Sequence, residues 1–178
     1  MVYVFLADGF EEAEALVTVD ILRRAGRKVT CVGVDKKEII GAHGIKVTAD
    51  IKTGEFAPVD FEGVVLPGGM PGTTNLWDCE LLRENVKVHA EAGLPTAAIC
   101  AAPLILGRLG LLEGKDATCY PGFEGELKGA NCSAEGVAIS GNIITGKGPG
   151  KSFDFAYAIV ASLLGEAKAN EISSAMQY

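Results

Sequence analysis

The chain has 178 residues, of which 48% are hydrophobic, enough to bury one sizeable core without help from disulfides or metals. Its 23 acidic and 16 basic residues give a net charge of −7, which disfavours nucleic acids and anionic membrane surfaces as partners. The opening apolar run, residues 2–7, is shorter than a signal-peptide core and no later run reaches membrane-spanning length, so we expect a cytoplasmic protein.

Predicted strands and helices alternate along the first half of the chain. A strand–helix–strand order requires a crossover connection, so the sheet should be at least partly parallel, with helices on its faces. Two short strands flanking a turn with two glycines predict a hairpin inserted into this order. The predicted elements are strands at 2–7, 28–34 and 63–66, a helix at 11–25, and hairpin strands at 38–40 and 45–48.

The second half continues the alternation after a Pro-Gly-Gly turn at residues 67–69. The Gly-rich stretch 114–141 contains one predicted strand and is otherwise irregular. No linker or repeat divides the chain, so we expect a single domain over residues 1–178. The predicted elements of this half are a helix from Leu76 to near Gly93, a strand at 96–99, a helix at 101–109, a strand at 137–139 and a helix at 152–164.

Cys100 lies where a predicted strand passes directly into a predicted helix. Such a nucleophile elbow needs small residues two positions before and after the nucleophile, and Ala98 and Ala102 stand there. A helix amino terminus favours the thiolate and lowers the thiol pKa. The alternative is a small hydrophobe in an Ala-rich packing seam. The five cysteines are an odd number without a CxxC pair, which predicts free thiols and no zinc site.

Two other loops should lie near Cys100, because the loops that follow parallel strands collect at one edge of the sheet. Glutamates in the first of them, residues 8–14, would ordinarily be solvated and complement the helix dipole. Glu14, one turn after Glu11, can instead face the sheet edge, where a neutral carboxyl would donate a hydrogen bond to a thiolate. The second loop, residues 66–72, offers N–H groups suited to an oxyanion site, or is simply a tight turn.

Three segments in this order, residues 8–14 (DGFEEAE), 66–69 (LPGG) and 97–103 (AAICAAP), resemble the ThiJ/PfpI superfamily. Residues 19–26 and 148–153 resemble the branch around the human parkinsonism protein DJ-1, so the likeness covers nearly the whole chain. The resemblance implies a flavodoxin-like three-layer α/β sandwich, of the class I glutamine amidotransferase-like kind, with a mostly parallel sheet. It also implies a homodimer.

The resemblance further implies roles for individual residues. Cys100 would be the nucleophile, Glu14 the protonated carboxyl beside it, and Gly69 and Ala101 the donors of backbone N–H groups to an oxyanion. No metal or cofactor is expected. The remaining pocket candidates are Gly68, Arg24, His43, Tyr120, Cys119 and Pro149.

The main departure from the family pattern is a missing histidine. Tyr120 stands where DJ-1 has a histidine after the cysteine helix, so a protease-like Cys–His pair is in doubt. His89 falls inside a predicted helix and His43 in the hairpin. His43 aligns with an arginine near the pocket and dimer seam, or is an exposed turn residue; Arg24 aligns with a pocket-rim arginine, or complements its helix dipole.

The activities implied by the family are glutathione-independent glyoxalase, repair of glycated adducts, peptidase or amidase, and oxidative-stress sensing. A thiolate adds to a reactive aldehyde, and rearrangement of the adduct needs a proton shuttle that Glu14 can supply. Amide hydrolysis needs an acid for the leaving amine, so the missing histidine makes it the least favoured. We therefore expect a cysteine-dependent enzyme acting on small reactive carbonyls. The alternative is a sensor in which an oxidant converts Cys100 to sulfinic acid.

Overall fold

A computed structural model describes residues 1–178, and its strands and helices alternate along most of the chain. None of the helices combines the length and the apolar character that a membrane span requires. The strands are β1 (Val2–Leu6), β2 (Val29–Gly33), β3 (Glu38–Ile40), β4 (Lys46–Thr48), β5 (Ile51–Lys52), β6 (Gly63–Leu66), β7 (Thr96–Ile99), β8 (Asp116–Ala117), β9 (Asn131–Cys132), β10 (Val137–Ser140) and β11 (Ile143–Gly146). The helices are α1 (Glu12–Arg24), α2 (Gly72–Asp78), α3 (Glu80–Glu91), α4 (Pro103–Arg108), α5 (Ser152–Leu164) and α6 (Glu166–Ala175).

Seven strands form the central sheet, in the order β10-β11-β7-β6-β1-β2-β5. Every neighbouring pair is parallel except β10 and β11. The strands β3 and β4 pair only with each other, as an antiparallel hairpin. The α/β class, the mostly parallel sheet and the inserted hairpin are therefore confirmed.

Side chains alternate between the two faces of the sheet, as the pleat of a strand requires. In β1, Val2, Val4 and Leu6 join a core under α1, α5 and α6, whereas Tyr3 and Phe5 join a second core under α2, α3 and α4. Each helix layer buries one apolar face against the sheet. The result is three layers with a core on each side of the sheet.

The structure corrects two predicted helices and adds elements that the sequence analysis lacks. The single helix expected between Leu76 and Gly93 is broken at Cys79, whose extended backbone (ψ 104°) ends α2 and begins α3. The cysteine helix begins at Pro103 rather than residue 101, because Ala101 and Ala102 form a turn and proline suits a first helical position. The elements β5, β8, β9, β11 and α6 were not predicted.

The order of the strands brings three loops together. The chain leaves β1 toward β2 on one side and returns to β6 on the other, and such a reversal opens a crevice at the carboxyl ends of the strands. Across it, the N–H of Glu11, after β1, donates to the carbonyl oxygen of Gly68, after β6, over 2.9 Å. The loop after β7 begins with Cys100.

Phe155 allows a test of the first core. Its side chain is fully buried, whereas Phe153 on the same helix is 38% exposed. We expect Phe155→Ala to lower the free energy of unfolding by about 3–5 kcal/mol, because it leaves a cavity, and Phe153→Ala to cost about 1 kcal/mol or less. Urea unfolding followed by circular dichroism measures both, and equal losses would contradict the placement of Phe155.

Candidate active site

Cys100 occupies a strained turn between β7 and α4. Its φ of +64° lies in the left-handed region, which a residue with a side chain adopts at a cost of about 1–3 kcal/mol. Two backbone hydrogen bonds hold it there: its N–H donates to Gly146 over 2.9 Å, and its carbonyl oxygen accepts from the N–H of Tyr120 over 2.8 Å. Ala98 and Ala102 are fully buried beside the turn. The local geometry is that of a nucleophile elbow.

Glu14 projects from α1 into the protein and is completely buried. Its Oε2 accepts the N–H of Gly68 over 2.7 Å, whereas its Oε1 is buried with no hydrogen-bond partner. Gly68 lies between Glu14 and Cys100: a Cβ added to it would lie 2.6 Å from Cys100 Cβ and 2.9 Å from Glu14 Oε2. Because Oε2 is already an acceptor, Oε1 is the oxygen that can carry a proton and donate it toward the thiol.

Two backbone N–H groups also face the thiol, those of Gly69 and Ala101, and both lower its pKa by hydrogen bonding. Neither donates to a backbone carbonyl. Gly69 has a φ of +89°, and a Cβ there would lie 2.5 Å from the nitrogen of Glu11, so only glycine fits. These two groups are placed to stabilise negative charge on the sulfur. They can equally stabilise the charge on an oxygen of a carbon to which the sulfur has become bonded.

The pKa values of Glu14 and Cys100 depend on each other, because a proton on one changes the charge next to the other. Burial raises the pKa of the Glu14 carboxyl to about 7. Burial, with an ionised Glu14 as the second cause, raises the pKa of the Cys100 thiol to about 12. The thiol pKa is thus shifted opposite to the direction expected from a helix amino terminus. A proton on Glu14 removes the carboxylate charge and supplies a donor, so the thiolate is most stable when Glu14 is neutral.

The other pocket candidates are dispersed. Tyr120 and Pro149 line a cavity of about 200 Å³ with Gly148, next to the turn that holds Cys100. Cys119 directly precedes Tyr120, whose N–H binds the Cys100 carbonyl oxygen, but its side chain is buried in the second core, whereas that of Cys100 belongs to the first. Arg24 forms an ion pair with Asp20 over 2.8 Å. Within the chain, Arg24 lies about 15 Å further along α1 than Glu14.

His43 lies on the hairpin turn and contacts Glu12, a residue that the sequence analysis did not single out. The Glu12 side chain is buried, and its Oε2 lies 2.8 Å from Nδ1 of His43. The hydrogen bond to Glu12 raises the pKa of His43. Nothing in the local sequence separates Glu12 from the solvated glutamates typical of a first helical turn, because its partners come from a hairpin about thirty residues later.

Comparisons with known proteins agree with this architecture. The model of the DJ-1/PfpI family matches residues 1–162. Protein DJ-1 homolog B of Arabidopsis thaliana is 43% identical over 171 residues, covering 94% of this chain, which spans about two fifths of that longer protein (39%). Glutathione-independent glyoxalase DJR-1.2 of Caenorhabditis elegans is 32% identical, covering 91% of this chain and 87% of the relative. The solved structure of oxidised Toxoplasma gondii DJ-1 has a TM-score of 0.95 at 32% identity and covers 99% of this chain and 97% of that one.

Substitutions of Glu14 test its hydrogen bond to the thiolate. Glutamine can accept from Gly68 through its oxygen and donate toward Cys100 through its nitrogen, whereas aspartate is one methylene too short. We expect Glu14→Gln to lower the Cys100 pKa, because a neutral amide donor replaces the carboxylate that raises it, and Glu14→Asp to leave the pKa raised, because the charge stays and the donor is withdrawn. The pH dependence of the alkylation rate measures the thiol pKa, and a lower thiol pKa in Glu14→Asp than in Glu14→Gln would contradict the hydrogen bond.

The raised pKa of Glu14 predicts how stability changes with pH. The folded state holds the Glu14 proton up to pH of about 7, whereas the unfolded chain releases it near the ordinary value of 4.5. The stabilisation is therefore complete below pH 4.5 and is lost as pH rises through 7. Relative to Glu14→Gln, the wild-type free energy of unfolding should fall by about 3 kcal/mol over this interval. Urea titrations of both proteins from pH 4.5 to 8 measure it; parallel curves would mean that Glu14 is not protonated in the fold.

Proposed function

The chain belongs to the DJ-1/PfpI family, and we propose that it is a cysteine-dependent enzyme that converts reactive aldehydes such as methylglyoxal without glutathione. The observation that carries the proposal is the buried, unpartnered Oε1 of Glu14 next to the Cys100 thiol. A carboxyl with a pKa near neutrality both gives and takes a proton easily at physiological pH. The name of the Caenorhabditis elegans relative, a glutathione-independent glyoxalase, supports the same chemistry.

The proposed reaction starts with Cys100 Sγ attacking the aldehyde carbon. A C–S bond forms, and the oxygen of the adduct takes the proton of the neutral Glu14 to give a hemithioacetal and a Glu14 carboxylate. The carboxylate then removes the proton from the carbon bound to sulfur, which gives an enediol with the neighbouring carbonyl. Glu14 returns this proton to the neighbouring carbon while the hydroxyl proton of the first carbon moves to the neighbouring oxygen, which leaves a thioester of lactate and a Glu14 carboxylate that is reprotonated from solvent. Water hydrolyses the thioester and frees the thiol, so methylglyoxal and water give lactate. The N–H groups of Gly69 and Ala101 stabilise the oxyanions on this path. The same attack by Cys100 would also serve the repair of glycated adducts.

A peptidase or amidase remains the less favoured reading. Amide hydrolysis needs a group that protonates the leaving amine, and histidine is its usual source in cysteine hydrolases. Both histidines are engaged elsewhere: His89 stacks on the ring of Phe61, and His43 binds Glu12.

The second candidate is a non-catalytic sensor of oxidants. Cys100 is only 9% exposed, and the N–H groups around it, with a neutral Glu14, would hold the oxygens of a sulfinic acid. The Toxoplasma gondii relative was solved in a form described as oxidised. This reading uses the same residues as the enzyme but consumes one equivalent of oxidant for each thiol.

The proposed active form is a cytoplasmic homodimer. Leu16 on α1 and Ile45 at the hairpin are 39% and 52% exposed, and a second copy of the chain would cover these apolar side chains. The five free cysteines suit a reducing compartment.

Turnover of methylglyoxal distinguishes the enzyme from the sensor. We expect the wild type to form many equivalents of lactate for each chain, and Cys100→Ser to lower the rate about 10³-fold or more, because the nucleophile is lost. Cys132→Ser is the matched control: it removes an exposed thiol and should leave the rate unchanged. Consumption of a single equivalent without lactate would exclude the enzyme and favour the sensor.

A further inference from the structure

A second group of polar side chains lies where α1 begins against the hairpin turn. Nδ1 of His43 is 2.8 Å from Oε2 of Glu12 and 3.7 Å from Oε2 of Glu11. All three atoms lie within 4.8 Å of one another. The cysteine spacing predicts no zinc site, but this group contains no cysteine.

Glu12 is held firmly in this arrangement. Its Oε1 accepts the backbone N–H of His43 over 2.8 Å and that of Ile45 over 3.4 Å. A Cβ at Gly41 would lie 2.2 Å from the same oxygen, so the glycine leaves the space that the carboxylate fills. One oxygen is thus fixed by the backbone of the hairpin while the other, Oε2, faces the imidazole. Outer contacts of this kind orient the ligands of metal ions.

We propose that Glu11, Glu12 and His43 bind a divalent transition-metal ion of the Zn²⁺ type. A tetrahedral zinc ion with ligands at 2.0–2.2 Å places those ligand atoms about 3.4 Å apart. The two distances from His43 Nδ1, 2.8 and 3.7 Å, lie on either side of that value. In the single chain the His43 side chain is 68% exposed, so water can complete the coordination there. Binding replaces the hydrogen bond between His43 and Glu12, and any proton on Nδ1 passes to solvent.

The donor set selects the class of ion. Imidazole with two carboxylates suits Zn²⁺ and its neighbours in the transition series. Mg²⁺ and Ca²⁺ take six or more oxygen ligands, and this site offers too few. A bound ion would connect the first turn of α1 to the hairpin turn. Because the unfolded chain lacks the site, the ion would stabilise the folded state.

The alternative is a plain ion pair between His43 and Glu12, and His43→Arg separates the two. Arginine keeps a positive charge next to Glu12 but does not ligate zinc. Calorimetric titration of the full chain with Zn²⁺ should show one equivalent bound by the wild type. His43→Arg and Glu11→Gln should bind at least about tenfold more weakly. Melting temperatures without metal check that both variants fold, and the wild type should gain more than either variant at the same Zn²⁺ concentration.

Thiols are the competing ligands, and two further measurements exclude them. Cys100→Ser should bind Zn²⁺ as tightly as the wild type. Co²⁺ in the site should show no sulfur-to-cobalt charge-transfer band, and Mg²⁺ at equal concentration should not displace it. The proposal is wrong if His43→Arg binds as the wild type does, if the wild type binds no Zn²⁺, or if the band appears and disappears in Cys100→Ser.

Discussion

The site depends on the close approach of a backbone to two side chains. Gly68 lies so near Cys100 and Glu14 that a single added methyl group would overlap both. This approach requires β6 and β7 to be neighbours in register and α1 to cross the edge where they end. The close approach at Gly68 thus depends on the sheet order, on the Pro-Gly-Gly turn and on the helix that carries Glu14.

Two glutamates of α1, only two residues apart, meet opposite electrostatic conditions. Glu14 is buried among apolar groups with one N–H donor, and burial raises its pKa. For Glu12, burial works against ionisation, but the hydrogen bonds from His43 and the hairpin backbone outweigh it and lower the pKa. The same residue type on the same helix turn therefore keeps its proton up to near-neutral pH at one position and is an anion at the other.

The sequence predicted the parts of the site that depend on local pattern. A strand running into a helix, with Ala98 and Ala102 around Cys100, is by itself enough to indicate an elbow, and Glu14 follows from helical spacing. The direction of the thiol pKa could not be predicted, because it depends on burial created jointly by α1, β6 and β7. The helix break at Cys79 and the element α6 were also missed. The hydrophobic periodicity does not mark the break, and it is weak in α6, which buries only Ala169 and Ile172.

The short outer strands of the sheet have a consequence for association between chains. The strands β1, β6 and β7 have neighbours on both sides, while β5 at one edge is two residues long and β10 at the other is four. Where β2 extends beyond β5, the side chain of Arg23 donates to the carbonyl oxygen of Val29, and the N–H of Cys31 donates to the side chain of Asp50. An unfolded neighbour finds few free backbone groups along either margin. Growth by strand addition, the first step toward amyloid-like aggregates, is thereby hindered in a chain whose strands would otherwise favour it.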